Sequence, residues 1–378
     1  MSNGINCYEL TLTPNYVSDW TFNDAIRELI QNGTDQEILD KSNKFSIDYG
    51  YKSKTLRLTN AKSKLKINTL LLGKSSKSDN EDTVGQFGEG YKIAALVLNR
   101  LGKTFTIYNN ERNEVWTSRF KNSEKWLEKI LAFYVEKVPT SNNGLVIEVG
   151  NVTTDEEYHL RPMWIGFDGL DESEKIETSY GDILLGDYFS GKIFVNGLKV
   201  SCSADMEYGY NFKPKYITLE RDRKTCDSWN AGDITSKMID EAMLNGKIEF
   251  DTIKHMIEEN TDDVYHLDFN THLGGVQEIQ KRMIEQFDRQ YTTPYSIPVR
   301  EQSDIDRVKA YGGNPVVVPY KVANLLKDET SKRIQELVTA PSGKSLTLKE
   351  RFQRWYDAYS SKLDNGARQE LAELINEV

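Results

Sequence analysis

The stretch TVGQFGEGYKIAALVL, residues 83–98, sets three glycines (Gly85, Gly88 and Gly90) directly before an apolar, helix-forming run. Glycine ahead of a helix is an entropic cost unless the backbone must turn tightly or approach something closely. A turn with a helix cap accounts for the pattern structurally. An anion site accounts for it functionally, because N–H groups at a helix start receive phosphate best where no Cβ intrudes. Taken alone, the stretch supports both readings.

A second stretch, WTFNDAIRELIQNGTDQEIL at residues 20–39, separates them. Ile26, Leu29, Ile30, Ile38 and Leu39 give the apolar stripe of an amphipathic helix, and Thr21 with Asp24 reads as a capping box with Asp in place of Glu. Glu28, Asn32 and Asp35 then fall at i, i+4 and i+7 and project from one polar face. On its own such a face is a solvated helix surface. Paired with the glycine stretch, it completes a list of roles. The glycine turn supplies N–H donors for phosphates, Asn32 offers an amide oxygen to Mg²⁺, and Glu28 is a carboxylate able to activate water.

With both stretches in view, ELIQNGTD resembles the Glu-x-x-x-Asn-x-x-Asp box of the superfamily joining DNA gyrase, the ninety-kilodalton heat-shock chaperones, histidine kinases and MutL. LLLGKSSKS followed by TVGQFGEGYKIAALVL is most similar to the chaperones' lid and glycine motif. The resemblance implies an α+β fold with a Bergerat-type ATP-binding sandwich, and Mg²⁺ and ATP as its ligands. It implies Glu28 as general base, Asn32 as magnesium ligand and Asp35 as a nucleotide contact. It assigns the phosphates to the turn that opens at Gly85 and to the backbone of Gln86, Phe87, Gly88, Glu89, Gly90 and Tyr91, with Lys92 near them, and gives Lys77 and Ser78 to a lid. Arg221, in LERDR, matches an arginine that reaches the γ-phosphate, with Arg223 and Lys224 as rivals.

The sequence departs from the family at the base end. Asn60, in LRLTNAKSKL, stands where an aspartate contacts adenine, and Gly144-Leu145 replaces a Gly-Thr pair. An aspartate only accepts hydrogen bonds, whereas an asparagine amide that flips serves adenine or guanine. The expectation is therefore an ATP preference with weak rejection of GTP.

The rest of the chain bounds these readings. It has 378 residues, 38% hydrophobic and 28% charged, with a net charge of −10. That is a globular composition with room for several domains, and its acidity disfavours a nucleic-acid coat. No leader or membrane-spanning run is read, and Cys7, Cys202 and Cys226 form neither a disulfide framework nor a zinc motif. The expectation is a cytoplasmic protein of bacterial or phage type. Three domains are expected: ATP-binding over 1–155, a transducer-like α/β domain over 156–235, and a mostly helical region over 236–378. Strands are expected at Phe45–Tyr49, at Thr55–Leu58 and in KYITLERDRKT, a short helix near Glu124–Ala132, and a hairpin turning at Asn196-Gly197. The function that follows is a nucleotide-driven conformational switch with ATPase activity, a protein client and ATP-dependent pairing of protomers. The alternatives are a non-hydrolysing regulator that acts through protein contacts and an ATP-operated clamp on DNA.

Overall fold

The computed structural model describes residues 4–71, 90–167, 169–219, 227–339 and 348–377. Helix α1 runs Phe22–Leu39 and starts at the expected capping box: Thr21 accepts from the Asp24 amide, and Asp24 accepts from the Thr21 amide at 2.8 Å. Its stripe of Phe22, Ala25, Ile26, Leu29 and Ile30 is buried. Helix α2, Gly90–Arg100, buries an unbroken run from Lys92 to Leu98.

Seven strands supply the surface that these helices cover: β1 (Asn6–Glu9), β2 (Phe45–Gly50), β3 (Thr55–Asn60), β4 (Thr104–Asn109), β5 (Glu114–Asn122), β6 (Lys129–Lys137) and β7 (Leu145–Gly150). They form one sheet in the order β1-β6-β5-β4-β7-β3-β2, with every pairing antiparallel. Alternation decides which side chains face the helices. Leu56, Leu58, Phe105, Ile107, Trp116, Leu131, Phe133 and Val149 join the α1 and α2 stripes in a single core. The opposite face carries Arg57, Thr106 and Thr117, with Arg57 bonded to Glu148 on β7.

The class is α+β, as the sequence implied. The helix expected near Glu124–Ala132 is instead a turn followed by β6. Trp126, Leu127, Ile130 and Leu131 have helical spacing, but residues 129–137 lie between β1 and β5, and Ile130 through Phe133 are all buried. A strand covered on both faces loses its alternation and reads like a helix.

Contacts divide the chain into two compact units: Met1–Lys175 with Gly181–Cys202 and Gly209–Asp227, and Ile176–Tyr180 with Ser203–Tyr208 and Ser228–Val378. The first also contains the strands Gly181–Leu184, Lys192–Val195, Leu198–Cys202 and Gly209–Phe212. Asn196 and Gly197 make the expected hairpin turn, both with left-handed φ, 50° and 77°. Of KYITLERDRKT only residues 215–219 are described; Lys215 and Tyr216 belong to the 3₁₀ turn Pro214–Tyr216, the preceding Gly209–Phe212 takes the ladder position, and the rest of the expected strand lies outside the described residues.

The second unit is mainly helical. It holds a parallel strand pair, Ser296–Val299 and Asn314–Val317, joined through the helix Gln302–Ala310. Pro298 argues against a strand in sequence, yet in a two-stranded sheet each strand has an open edge that tolerates proline. Among the described residues no helix is long and apolar enough to cross a membrane.

One buried carboxylate ties β4 to β5. Glu114, 4% exposed, accepts from Trp116 Nε1 at 3.0 Å, Asn109 Nδ2 at 3.2 Å and Lys137 Nζ at 2.7 Å. Burial pushes this carboxyl up, but Lys137, Trp116 and nearby Arg112 overcome it and hold it below the usual range. A depressed folded value stabilises the fold above the unfolded pKa, near 4.3, and the benefit fades as pH falls through the folded value. Glu114→Gln is expected to cost on the order of 1 kcal/mol at pH 7. Urea unfolding should show that difference narrowing as the acid range is entered.

Candidate functional site

The site is organised along α1. Glu28 and Asn32 are half-buried, and Asp35 is fully buried. Asn32 Nδ2 donates to the Glu28 carbonyl at 2.8 Å. A carbonyl only accepts, so this bond identifies the amide nitrogen and turns Oδ1 away from the helix backbone.

The start of α2 meets this face. A Cβ built on Gly90 would overlap Glu28 Oε2 and stand 2.9 Å from Asn32 Nδ2 and 3.4 Å from Glu28 Cδ. A side chain at this position would therefore have to displace the Glu28 carboxylate and the Asn32 amide. The two sequence stretches are thus brought together, with the last glycine of one against two polar residues of the other. The first N–H groups of a helix lack intrahelical acceptors and carry its positive end, so this corner combines donors, a carboxylate and an amide oxygen.

Asn60 ends β3 and is 8% exposed. Its Nδ2 donates to the Gly33 carbonyl of α1 at 3.0 Å, and its neighbour in register on β7 is Leu145. Gly33 lies under the Phe45 ring, where a Cβ would come within 2.8 Å of Cζ and closer still to Cε2 and Cδ2. The Asn60 amide is therefore fixed. Flipping it would set Oδ1 against the Gly33 carbonyl, so the free flip expected from sequence is not available.

The side chains of Tyr91 and Lys92 point into the protein, which leaves open the role implied for the Tyr91 backbone amide. The Tyr91 hydroxyl shares a hydrogen bond with Thr69 Oγ1 at 2.9 Å, and burial pushes its phenol pKa up, so it is neutral. Lys92 is fully buried, and its Nζ donates to the carbonyls of Thr69 at 3.0 Å and Leu71 at 2.6 Å. Lys77, Ser78, Gly85, Gln86, Phe87, Gly88, Glu89 and Arg221, with the rivals Arg223 and Lys224, lie outside the described residues. One polar residue of α1 was passed over in sequence. Gln31 is 1% exposed, and its Nε2 finds no hydrogen-bond partner among the described residues. Its i+3 spacing from Glu28 was the available signal.

No family model matches the chain. A Mycoplasma pneumoniae protein described as uncharacterized is 26% identical over 220 residues, covering 55% of this chain and 87% of that protein. The ATPase region of Saccharomyces cerevisiae topoisomerase II bound to ICRF-187 (dexrazoxane) aligns with 54% of this chain and 77% of its own. The identity is 10% and the TM-score 0.36. The ATPase and transducer domains of Balamuthia mandrillaris topoisomerase II cover 59% and 83%, at 10% identity and a TM-score of 0.35. Neither structure is a chaperone, so the chaperone-like character rests on the sequence motifs alone. Superpositions this loose decide no chemistry.

The Asn60 geometry makes a direct prediction. Asn60→Asp replaces a donor with a carboxylate facing the Gly33 carbonyl, and is expected to destabilise the protein by about 1–3 kcal/mol at pH 7. Chemical denaturation of the two proteins checks it.

Proposed function

We propose that the chain is a Mg²⁺-dependent ATP-binding protein that hydrolyses ATP and works as a nucleotide-driven conformational switch. The observation that carries this reading is the contact of Gly90 with Glu28 and Asn32. Residues distant in sequence, each chosen for a different part of one nucleotide site, converge at one helix start.

The donor set suits the implied metal. Magnesium prefers hard oxygen ligands, and the Asn32 amide, anchored through its nitrogen, presents its oxygen. Bound magnesium would neutralise phosphate charge. The chain's own residues do the rest. Glu28 takes a proton from water, whose oxygen attacks the γ-phosphorus as the bond to ADP breaks. The first amides of α2 hold phosphate oxygens, and Gly90 leaves room for them beside the carboxylate. Asp35 supports the same face, and Arg221 would serve the γ-phosphate. Switching then consists of coupling this binding to a second domain, a protein client and a paired protomer.

At the base end, Asn60 held through Nδ2 offers Oδ1 as an acceptor. An acceptor suits the exocyclic amine of adenine and opposes the carbonyl of guanine. The discrimination expected here is therefore firmer than a freely flipping amide would give. Competitive binding is expected to favour ATP over GTP by at least about tenfold, the equivalent of one such mismatch. Equal affinities would remove Asn60 from base reading.

Two substitutions test the phosphate end. Glu28→Ala is expected to retain ATP and to lose about 10²–10⁴-fold in phosphate release, the usual contribution of a positioned base. Unchanged release would take that role from Glu28. Binding without release in the unaltered protein would select the regulator instead. Gly90→Ala drives a methyl group into flexible side-chain ends, so it should leave the melting temperature nearly unchanged while nucleotide binding falls sharply.

A further inference from the structure

Residues 60–71 connect the base end of the site to the segment preceding α2, and apart from the end of β3 and the 3₁₀ turn Ile67–Leu70 they have no regular structure. An irregular segment must find partners for its backbone polar groups. Here three buried side chains, one from the loop between α1 and β2, one from β4 and one from α2, supply them. Asn43, 5% exposed, accepts from the Lys62 amide at 2.7 Å. Asn109, on β4 and fully buried, embraces Leu65, accepting from its amide at 3.1 Å and donating to its carbonyl at 2.9 Å. Lys92, on α2 and fully buried, caps the far end through the carbonyls of Thr69 and Leu71. The Tyr91 hydroxyl adds its bond to the Thr69 side chain.

A buried ammonium is expensive unless its hydrogen bonds are made, and here it is aimed at backbone. We propose that Lys92 is a positioning residue: it fastens the 60–71 strap to the first turn of α2 and thereby fixes the separation between Asn60 and Gly90. Both ends are referenced to α1, Asn60 through the Gly33 carbonyl and Gly90 through Glu28 and Asn32. With the strap fastened, the base end and the phosphate end of the site are held at a set spacing along one helix. The inference rests on the ATP reading for its ligand, but the clamp itself is a property of the ligand-free protein.

A clamp and a direct phosphate ligand lose different things when the lysine is removed. A phosphate ligand matters to every polyphosphate, with or without a base. A spacing clamp matters only to compounds that engage both ends, and a residue that merely supports the fold leaves the affinity of folded protein unchanged. Dissociation constants for ATP, ADP, adenosine and tripolyphosphate should be compared in the unaltered protein and in Lys92→Met, at a temperature where both are folded. The clamp predicts a loss of about tenfold for ATP and ADP, which bridge the two ends, with adenosine and tripolyphosphate unchanged. It also predicts that, without ligand, the amides of Thr69 and Leu71, bonded to Lys66 and Asn68, exchange at least about tenfold faster. An equal loss for tripolyphosphate, unchanged affinities for ATP and ADP, or unchanged exchange overturns it. Should Lys92→Met fail to fold, Tyr91→Phe loosens the same turn more gently and should show the same pattern at reduced size. If the unaltered protein binds none of the four ligands, the nucleotide reading fails, and the exchange measurement still decides the clamp.

Discussion

The close approach of the first turn of α2 to the polar face of α1 is the constraint on which the site depends. Glycine at position 90 leaves the Glu28 carboxylate and the Asn32 amide where they are, because any side chain there would push them aside. The approach also needs both helices pressed onto one face of an antiparallel sheet, which the shared core of Ile26, Leu29, Ile30, Ala94, Leu98, Leu58 and Ile107 provides. Burying these apolar surfaces is the main favourable term in the fold. The polar corner is left where the two helices meet and the stripes end.

Polar groups inside this region are used to aim other groups. Asn32 is aimed by the Glu28 carbonyl, Asn60 by the Gly33 carbonyl, and the 60–71 strap by Asn43, Asn109 and Lys92. Buried networks of this kind rigidify when every member is satisfied. That rigidity suits the proposed site, in which metal, phosphate and base would be addressed from separate elements at once.

The parts legible in sequence were those governed by local rules. The capping box at Thr21, the α1 stripe, the Asn196-Gly197 turn and the i, i+4, i+7 polar face all depend on residues close together in the chain. Illegible parts depended on distant neighbours. The strand β6 was hidden because both of its faces are covered, and Ser296–Val299 because Pro298 is tolerated where a strand has an open edge, which the pairing decides. Asn60 was placed correctly at a strand end, yet its orientation is set by Gly33 on another element, which spacing cannot reveal. Lys92 likewise carried a phosphate-side expectation, while its ammonium is bonded to the Thr69 and Leu71 carbonyls.

The central claim is that Glu28, Asn32 and the start of α2 form one magnesium-nucleotide site. Thermal unfolding in the presence of ATP, with Mg²⁺ or with chelator, tests it most directly when the unaltered protein is compared with Asn32→Ala. Ligand at a hundredfold excess over its dissociation constant should stabilise the fold by about 2.7 kcal/mol. The account predicts a magnesium-dependent rise in melting temperature for the unaltered protein that is absent in Asn32→Ala. Equal magnesium-dependent shifts in the two proteins, or no shift in either, would contradict it.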